Sequence, residues 1–149
     1  MYTLKTQIIA ILGLLLYTVS ASAADIQIKM LDNSATDGIF TFEPAFVKAN
    51  VNDTIVFIPT NPGHNSSSLL TPSNAPAWKS PFNKEYRVKL EKEGIYLYVC
   101  DAHKKMGMVG VVQVGKAGNL EEAKKKAAEE SATMPMNKDR FAKMLEKVK

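Results

Sequence analysis

Apolar and polar residues alternate from Asp25 onward. Ile26, Ile28 and Met30 are separated by Gln27 and Lys29, the period-two pattern of a strand with one buried face. Asp32-Asn33-Ser34 and Asp37-Gly38 read as turn residues. Alternation resumes over residues 40–43, breaks at Pro44, returns over 46–49 and meets another turn at Asn52-Asp53. Residues 54–59 are almost continuously apolar, as in a strand at the centre of a sandwich. Pro59 and Pro62 end it, since proline has no N–H to give a ladder. Residues 60–83, rich in Pro, Gly, Asn and Ser, predict a long connection, and connections of that length are usually functional or contain some irregular structure of their own. Tyr86, Val88 and Leu90 then alternate with Arg87 and Lys89. Residues 95–100 are apolar on both faces and therefore central, and residues 109–114 close the set. Seven or so short strands set apart by turn signals predict an all-β sandwich with Greek-key connections.

At Gly115 the pattern changes to a helical one. Asn119 stands before a run of strong helix formers with Glu122 at capping-box spacing. Thr133-Met134-Pro135-Met136 breaks the run. Residues 137–149 predict a second helix, with Phe141, Met144, Leu145 and Val148 on one stripe. A stripe this narrow fits packing against the β-domain better than capture of a partner helix.

The first residues stand outside this pattern. Lys5, an uncharged apolar run over 8–19 and the small residues Ser20-Ala21-Ser22-Ala23-Ala24 have the order of a secretory signal peptide. The apolar part is short of the roughly 20 residues needed to span a bilayer. The expected organisation is residues 1–24 as signal peptide, cut after Ala23 or Ala24, then 25–116 as β-sandwich and 117–149 as a helical extension on the same domain. No stable membrane association is expected after cleavage. The formal charge of the whole chain is +4, but residues 25–116 hold ten bases against nine acids. That balance, without a basic stripe or stacking aromatics, argues against nucleic acid as a partner.

Export bears on the chemistry, because Cys100 is the only cysteine and has no partner for an intramolecular disulfide. It ends an apolar strand, and His103, Met106 and Met108 follow within eight residues. The other histidine, His64, lies in the loop Pro62-Gly63-His64-Asn65. One thiolate, two imidazoles and a weak thioether are the donor set of a blue-copper electron-transfer site. Met106 and Met108 compete for the thioether role. Met108 is the choice, because Gly107 permits a tight return just ahead of the next strand. Zinc is the rival metal, but its structural sites use sets from Cys₄ to Cys₂His₂, and its catalytic sites do not use methionine. A Cys–His nucleophile would need an oriented third partner and an oxyanion hole, and nothing in the sequence supplies them, so an enzyme is not expected. A copper-binding or trafficking protein is the alternative to an electron carrier, although such a protein would often carry more Met and His.

These residues carry a family resemblance. Residues 50–59, Gly63-His64-Asn65, residues 94–100, Met106-Gly107-Met108 and the two-helix extension resemble the type 1 blue-copper proteins, or cupredoxins, and most closely the pseudoazurin branch. The extension separates that branch from the shorter plastocyanins and amicyanins. The resemblance implies an eight-stranded Greek-key sandwich with two C-terminal α-helices, binding one copper ion through His64, Cys100, His103 and Met108. It implies a monomeric periplasmic one-electron shuttle that serves copper nitrite reductase or another terminal reductase of denitrification and takes electrons from c-type cytochromes. It places Asn65 behind the ligands, its backbone N–H towards the cysteine sulfur and its side chain joining the two ligand loops. The electron port would be His103, within an apolar patch of Pro44, Ala45, Pro62, Gly63, Met106 and Gly107 and a rim of Lys48, Lys79, Lys84, Lys104 and Lys105.

Two positions depart from the family's usual pattern. Ala102 stands where proline usually precedes the loop histidine, restoring an N–H that could donate towards the thiolate or admit water, so a raised potential is expected. Phe40 stands where a smaller or sulfur-bearing residue is common, and is expected either to stack on His103 or to serve the core.

Overall fold

The computed structural model describes residues 22–149, so the expected leader falls outside the described residues except for its last three. Eight strands form two four-stranded sheets: β1 (Asp25–Ser34), β2 (Gly38–Glu43), β3 (Phe46–Ala49), β4 (Thr54–Pro59), β5 (Ser67–Leu70), β6 (Tyr86–Lys89), β7 (Gly94–Val99) and β8 (Val109–Val114). One sheet has the order β2-β1-β4-β6 and the other β3-β8-β7-β5. β1 runs parallel to β4 and β3 parallel to β8, and the remaining pairs are antiparallel. The fold is the expected cupredoxin-like sandwich.

The period-two pattern explains the layering. Ile28, Met30, Phe42, Ile55, Phe57, Val88, Tyr96, Tyr98, Cys100 and Val112 point between the sheets and form one buried cluster. Ile95, Leu97, Val99, Val109 and Val111 point to the other side of their sheet. That outer face is covered by α1 (Leu120–Ser131) and α2 (Arg140–Leu145), which contribute Ala123, Ala127, Phe141, Met144 and Leu145. Both faces of β7 and β8 are therefore buried, as their unbroken apolar sequences require.

Three local readings need correction. Asp32-Asn33-Ser34 continues β1 instead of turning. Asn33 pairs with Ile39 and Ser34 with Gly38, which moves the hairpin turn to residues 35–37. The long connection contains β5, whose polar first half, Ser67-Ser68, hid it, although both serines pair with β7. The second helix is shorter than 137–149, because Asn137 has φ +51° and its side chain donates to Met106 O at 2.9 Å. Asn119 does precede α1, but it makes no side-chain cap. Its amide instead accepts from Ile95 N–H at 2.7 Å and donates to Ile95 O at 3.0 Å, tying the extension to β7.

Candidate metal centre

The ends of three strands meet at one edge of the sandwich. Cys100 follows β7, and its N–H donates to Met108 O at 3.0 Å, so residues 101–107 form a closed loop. His103 N–H donates to Cys100 O at 3.1 Å, and a single 3₁₀ turn over Lys104–Met106 carries the chain back. Gly107 ends that turn at φ +77°, a conformation glycine adopts without a steric penalty. His64 arrives from the loop after β4 and is fully buried.

His64 Nδ1 lies 3.1 Å from His103 Nδ1, and Cys100 Sγ lies 3.8 Å from the first and 3.6 Å from the second. A triangle with these sides is acute, and the point equidistant from its corners lies inside it, about 2.0 Å from each. A first-row ion such as zinc binds imidazole nitrogen at about 2.0–2.1 Å and thiolate at about 2.3 Å. The three donors are therefore already spaced for one metal ion. Met108 is fully buried in the same cluster as Cys100, whereas Met106 is 37 % exposed, which favours Met108 of the two thioethers. Soft sulfur beside imidazole selects copper.

The imidazoles are oriented towards the triangle. His64 Nε2 donates to Asp32 Oδ1 at 2.9 Å, which fixes the ring with Nδ1 facing the triangle. Burial, and next the neighbouring His64, hold His103 below the usual histidine range, favouring the neutral ring. Phe40 stacks on His103 with centroids 4.1 Å apart and an interplanar angle of 7°. It also packs against the core, so it fills both of the roles considered for it. Its backbone has φ +47°, an uncommon conformation for a bulky residue.

Asn65 joins the two ligand loops. Its Oδ1 accepts from Asp101 N–H at 2.8 Å, and its Nδ2 donates to Asp101 Oδ2 at 2.9 Å. Among the described residues neither Asn65 N–H nor Ala102 N–H donates to Cys100 Sγ, whose polar neighbours are the two imidazoles. Asp101 also accepts from Ser67 Oγ and pairs with Lys79 Nζ at 3.1 Å, so Lys79 is not a free member of the cationic rim. Asp32 and Asp101 were not singled out in the sequence. Only the fold brings residue 32 to 64, although Asp101, one place after the cysteine, could have been flagged by its position.

Asp101 provides a test by pH. Partial burial pushes its carboxyl up, but the donors Asn65, Lys79 and Ser67 outweigh that and hold it below the usual range. A depressed native pKa adds stability above the unfolded value of about 3.9 that is lost as pH falls through the native value. An Asp101→Asn variant is expected to be less stable than the parent at pH 7, with the gap closing in acid. Urea midpoints measured at both ends check this, and a gap that stays constant contradicts it.

Fold and donor set together define a cupredoxin. Residues 29–115 match the model of copper-binding proteins of the plastocyanin/azurin family. The pseudoazurin of Methylorubrum extorquens is 42% identical over 110 residues, covering 72% of this chain and 74% of that protein. That of Paracoccus pantotrophus is 41% identical over 105 residues, covering 68% and 72%. The crystal structure of native pseudoazurin from Hyphomicrobium denitrificans superposes with a TM-score of 0.76 at 34% identity, covering 84% of this chain and 98% of that one. The chain belongs to the plastocyanin/azurin family of copper-binding proteins, and within it to the pseudoazurins.

Proposed function

We propose that the protein is a soluble one-electron carrier whose single type 1 copper ion is held by His64, Cys100, His103 and Met108. The observation that carries this reading is the donor triangle, whose centre lies about 2.0 Å from all three donor atoms. Bound there, copper supplies a Cu(II)/Cu(I) couple that takes up and gives out one electron. The protein's part is to keep the donors fixed. The Asn65–Asp101 bonds, the Asp32–His64 bond and the Phe40 stack hold the same atoms in place for both oxidation states, so little has to move on transfer. Small reorganisation suits a carrier, whereas a trafficking site has to open and release its metal.

Copper added to the purified metal-free protein is expected to give an intense blue colour and a narrow copper hyperfine splitting in EPR. A colourless complex with Cu(I) alone would support trafficking, and thiol-dependent turnover would support an enzyme.

The reading extends to partners and location. His103 is half-buried under Phe40, and of the residues expected in the apolar patch Pro44, Pro62, Gly63 and Met106 are exposed, whereas Ala45 is half-buried and Gly107 is buried. Lys48, Lys84 and Lys104–105 would steer an acidic redox partner at rates that fall with salt. Copper nitrite reductase or another terminal reductase as acceptor, and a c-type cytochrome as donor, follow from kinship. So does a periplasmic, monomeric protein that is free of the membrane. No described helix is long and apolar enough to cross a membrane.

The leader is assigned to a signal peptide that ends at Ala23 or Ala24, residues 25–116 to the sandwich and 117–149 to the extension. Ala24 sharpens the cleavage point. Its N–H donates to Asp53 Oδ1 at 2.8 Å and its carbonyl accepts from Thr54 N–H at 2.8 Å, while Asp53 is buried. Cleavage after Ala23 leaves an ammonium group beside that carboxylate, whereas cleavage after Ala24 deletes both bonds. The intact mass of the exported protein is expected to begin at Ala24. A mass beginning at Asp25 contradicts this.

A further inference from the structure

The side chain of Arg140, at the start of α2, reaches away from its helix into the edge of the sandwich that carries the metal donors. Its Nη1 donates to Phe40 O at 2.7 Å and to Gly107 O at 2.8 Å. Its Nη2 donates to Ile39 O at 2.9 Å and to Asp37 O. Four backbone carbonyls, three from the start of β2 and the turn before it and one from the ligand loop, thus share one half-buried guanidinium, while Asp139 beside it pairs with Lys143. Acceptors like these, with no carboxylate in the set, point to a positional role more than to charge neutralisation.

Both segments adjoin the metal donors. Asp37 ends the β1–β2 turn, and the first residues of β2 after it present Phe40 to His103. Gly107 immediately precedes Met108. The extension touches that loop at a second place, where Asn137 Nδ2 donates to Met106 O at 2.9 Å. A Cβ on Gly107 would lie 2.6 Å from Asn137 Cβ, so the contact is close. Behind Arg140, α2 is anchored by Phe141, Met144 and Leu145, all buried.

We propose that Arg140 is a positioning residue of the copper site, a clasp through which the helical extension fixes Met108 and the Phe40–His103 stack relative to each other. One planar fork sets the separation of the two segments because its nitrogens lie in fixed relation. An ammonium group, with three donors at a single point, cannot span four carbonyls in this way. The axial thioether is one of the levers that set the potential of a blue-copper site. The extension therefore belongs to the machinery that tunes the site and does more than cover the sheet.

This proposal rests on the copper reading above, so its test has one arm that needs no copper. In metal-free protein, Arg140→Gln and Arg140→Lys are expected to speed amide exchange at Phe40 and at residues 106–108 by at least about tenfold relative to the amides of β7 and β8. Each charge-assisted bond lost is worth about that factor or more. Leu145→Ala, which loosens the same helix without touching the clasp, is expected to leave that ratio unchanged. With copper, both Arg140 variants are expected to shift the visible band ratio, the EPR parameters and the potential, and Leu145→Ala is not. Uniform acceleration across the protein, or unaltered spectra in both Arg140 variants, overturns the proposal. If the parent does not turn blue, the copper reading falls, and the exchange ratio still decides the clasp.

Discussion

A Cys100→Ser variant is expected to lose the blue colour completely while keeping its fold. Serine matches cysteine closely in shape, and position 100 is fully buried in the inter-sheet cluster, so packing changes little. The donor atom, however, changes from a soft, easily ionised sulfur to a hard hydroxyl that keeps its proton near neutral pH. Thiolate is what makes the set favour Cu(I), so Cu(I) should be weakened more than Cu(II), and the potential should fall. Losing a direct ligand should cost more affinity than the roughly 10–100-fold that losing an outer partner costs. Absorption spectra and a competition titration with each oxidation state check this. A variant that stays blue would mean that the sulfur is not a ligand.

The largest effect on stability is expected at Gly110, outside the ligand loop. Gly110 lies opposite Tyr98 in the β7–β8 pairing, and the Tyr98 ring crosses over it. A Cβ at position 110 would stand 2.1 Å from Tyr98 Cζ and 2.3 Å from its hydroxyl oxygen. The ring has no room to yield, since Tyr98 is fully buried and meets Phe42 and Phe57 edge-on, at 4.8 and 5.1 Å between centroids. Overpacking a dense core costs about 1–3 kcal/mol and sometimes more. Gly110→Ala is expected at the top of that range, about 3 kcal/mol, against a total stability of about 5–15 kcal/mol for a typical domain. The double variant Gly110→Ala, Tyr98→Leu should recover part of the loss, because a smaller side chain vacates the space. Tyr98→Phe alone should be neutral or stabilising, since the buried hydroxyl has no hydrogen-bond partner. Urea unfolding of the four proteins decides, and an unchanged midpoint for Gly110→Ala contradicts the account.

The sandwich was readable in the sequence because alternation over β1, β2 and β6 and unbroken apolar runs over β4, β7 and β8 each have one structural meaning. β5 was not readable, since four residues beginning Ser67-Ser68 carry no periodic signal and become a strand only through pairing with β7. The loop from Cys100 to Met108 stood out through its residue types, and His64 through being the one other histidine. The groups around them are a different matter. Asp32, read as a turn residue, meets His64 because β1 runs on past Met30. Arg140 carried no signal of its own in the sequence, and its partners lie up to 103 positions away. Contacts that depend on tertiary closure leave no local trace.

The order of the strands also governs when the site can exist. β3, at residues 46–49, pairs with β8 at 111–114, and residues 37–40 are fastened by residue 140. Closing such distant segments carries a chain-entropy cost that nearby contacts do not offset, so folding of this topology is slow. For a chain delivered N-terminus first, His64 emerges long before Cys100, and both emerge before the helix that secures their loops. With the proposed ligand set, metal capture is therefore expected to follow chain closure, since copper that meets a chain ending before Met108 finds only part of the donor set.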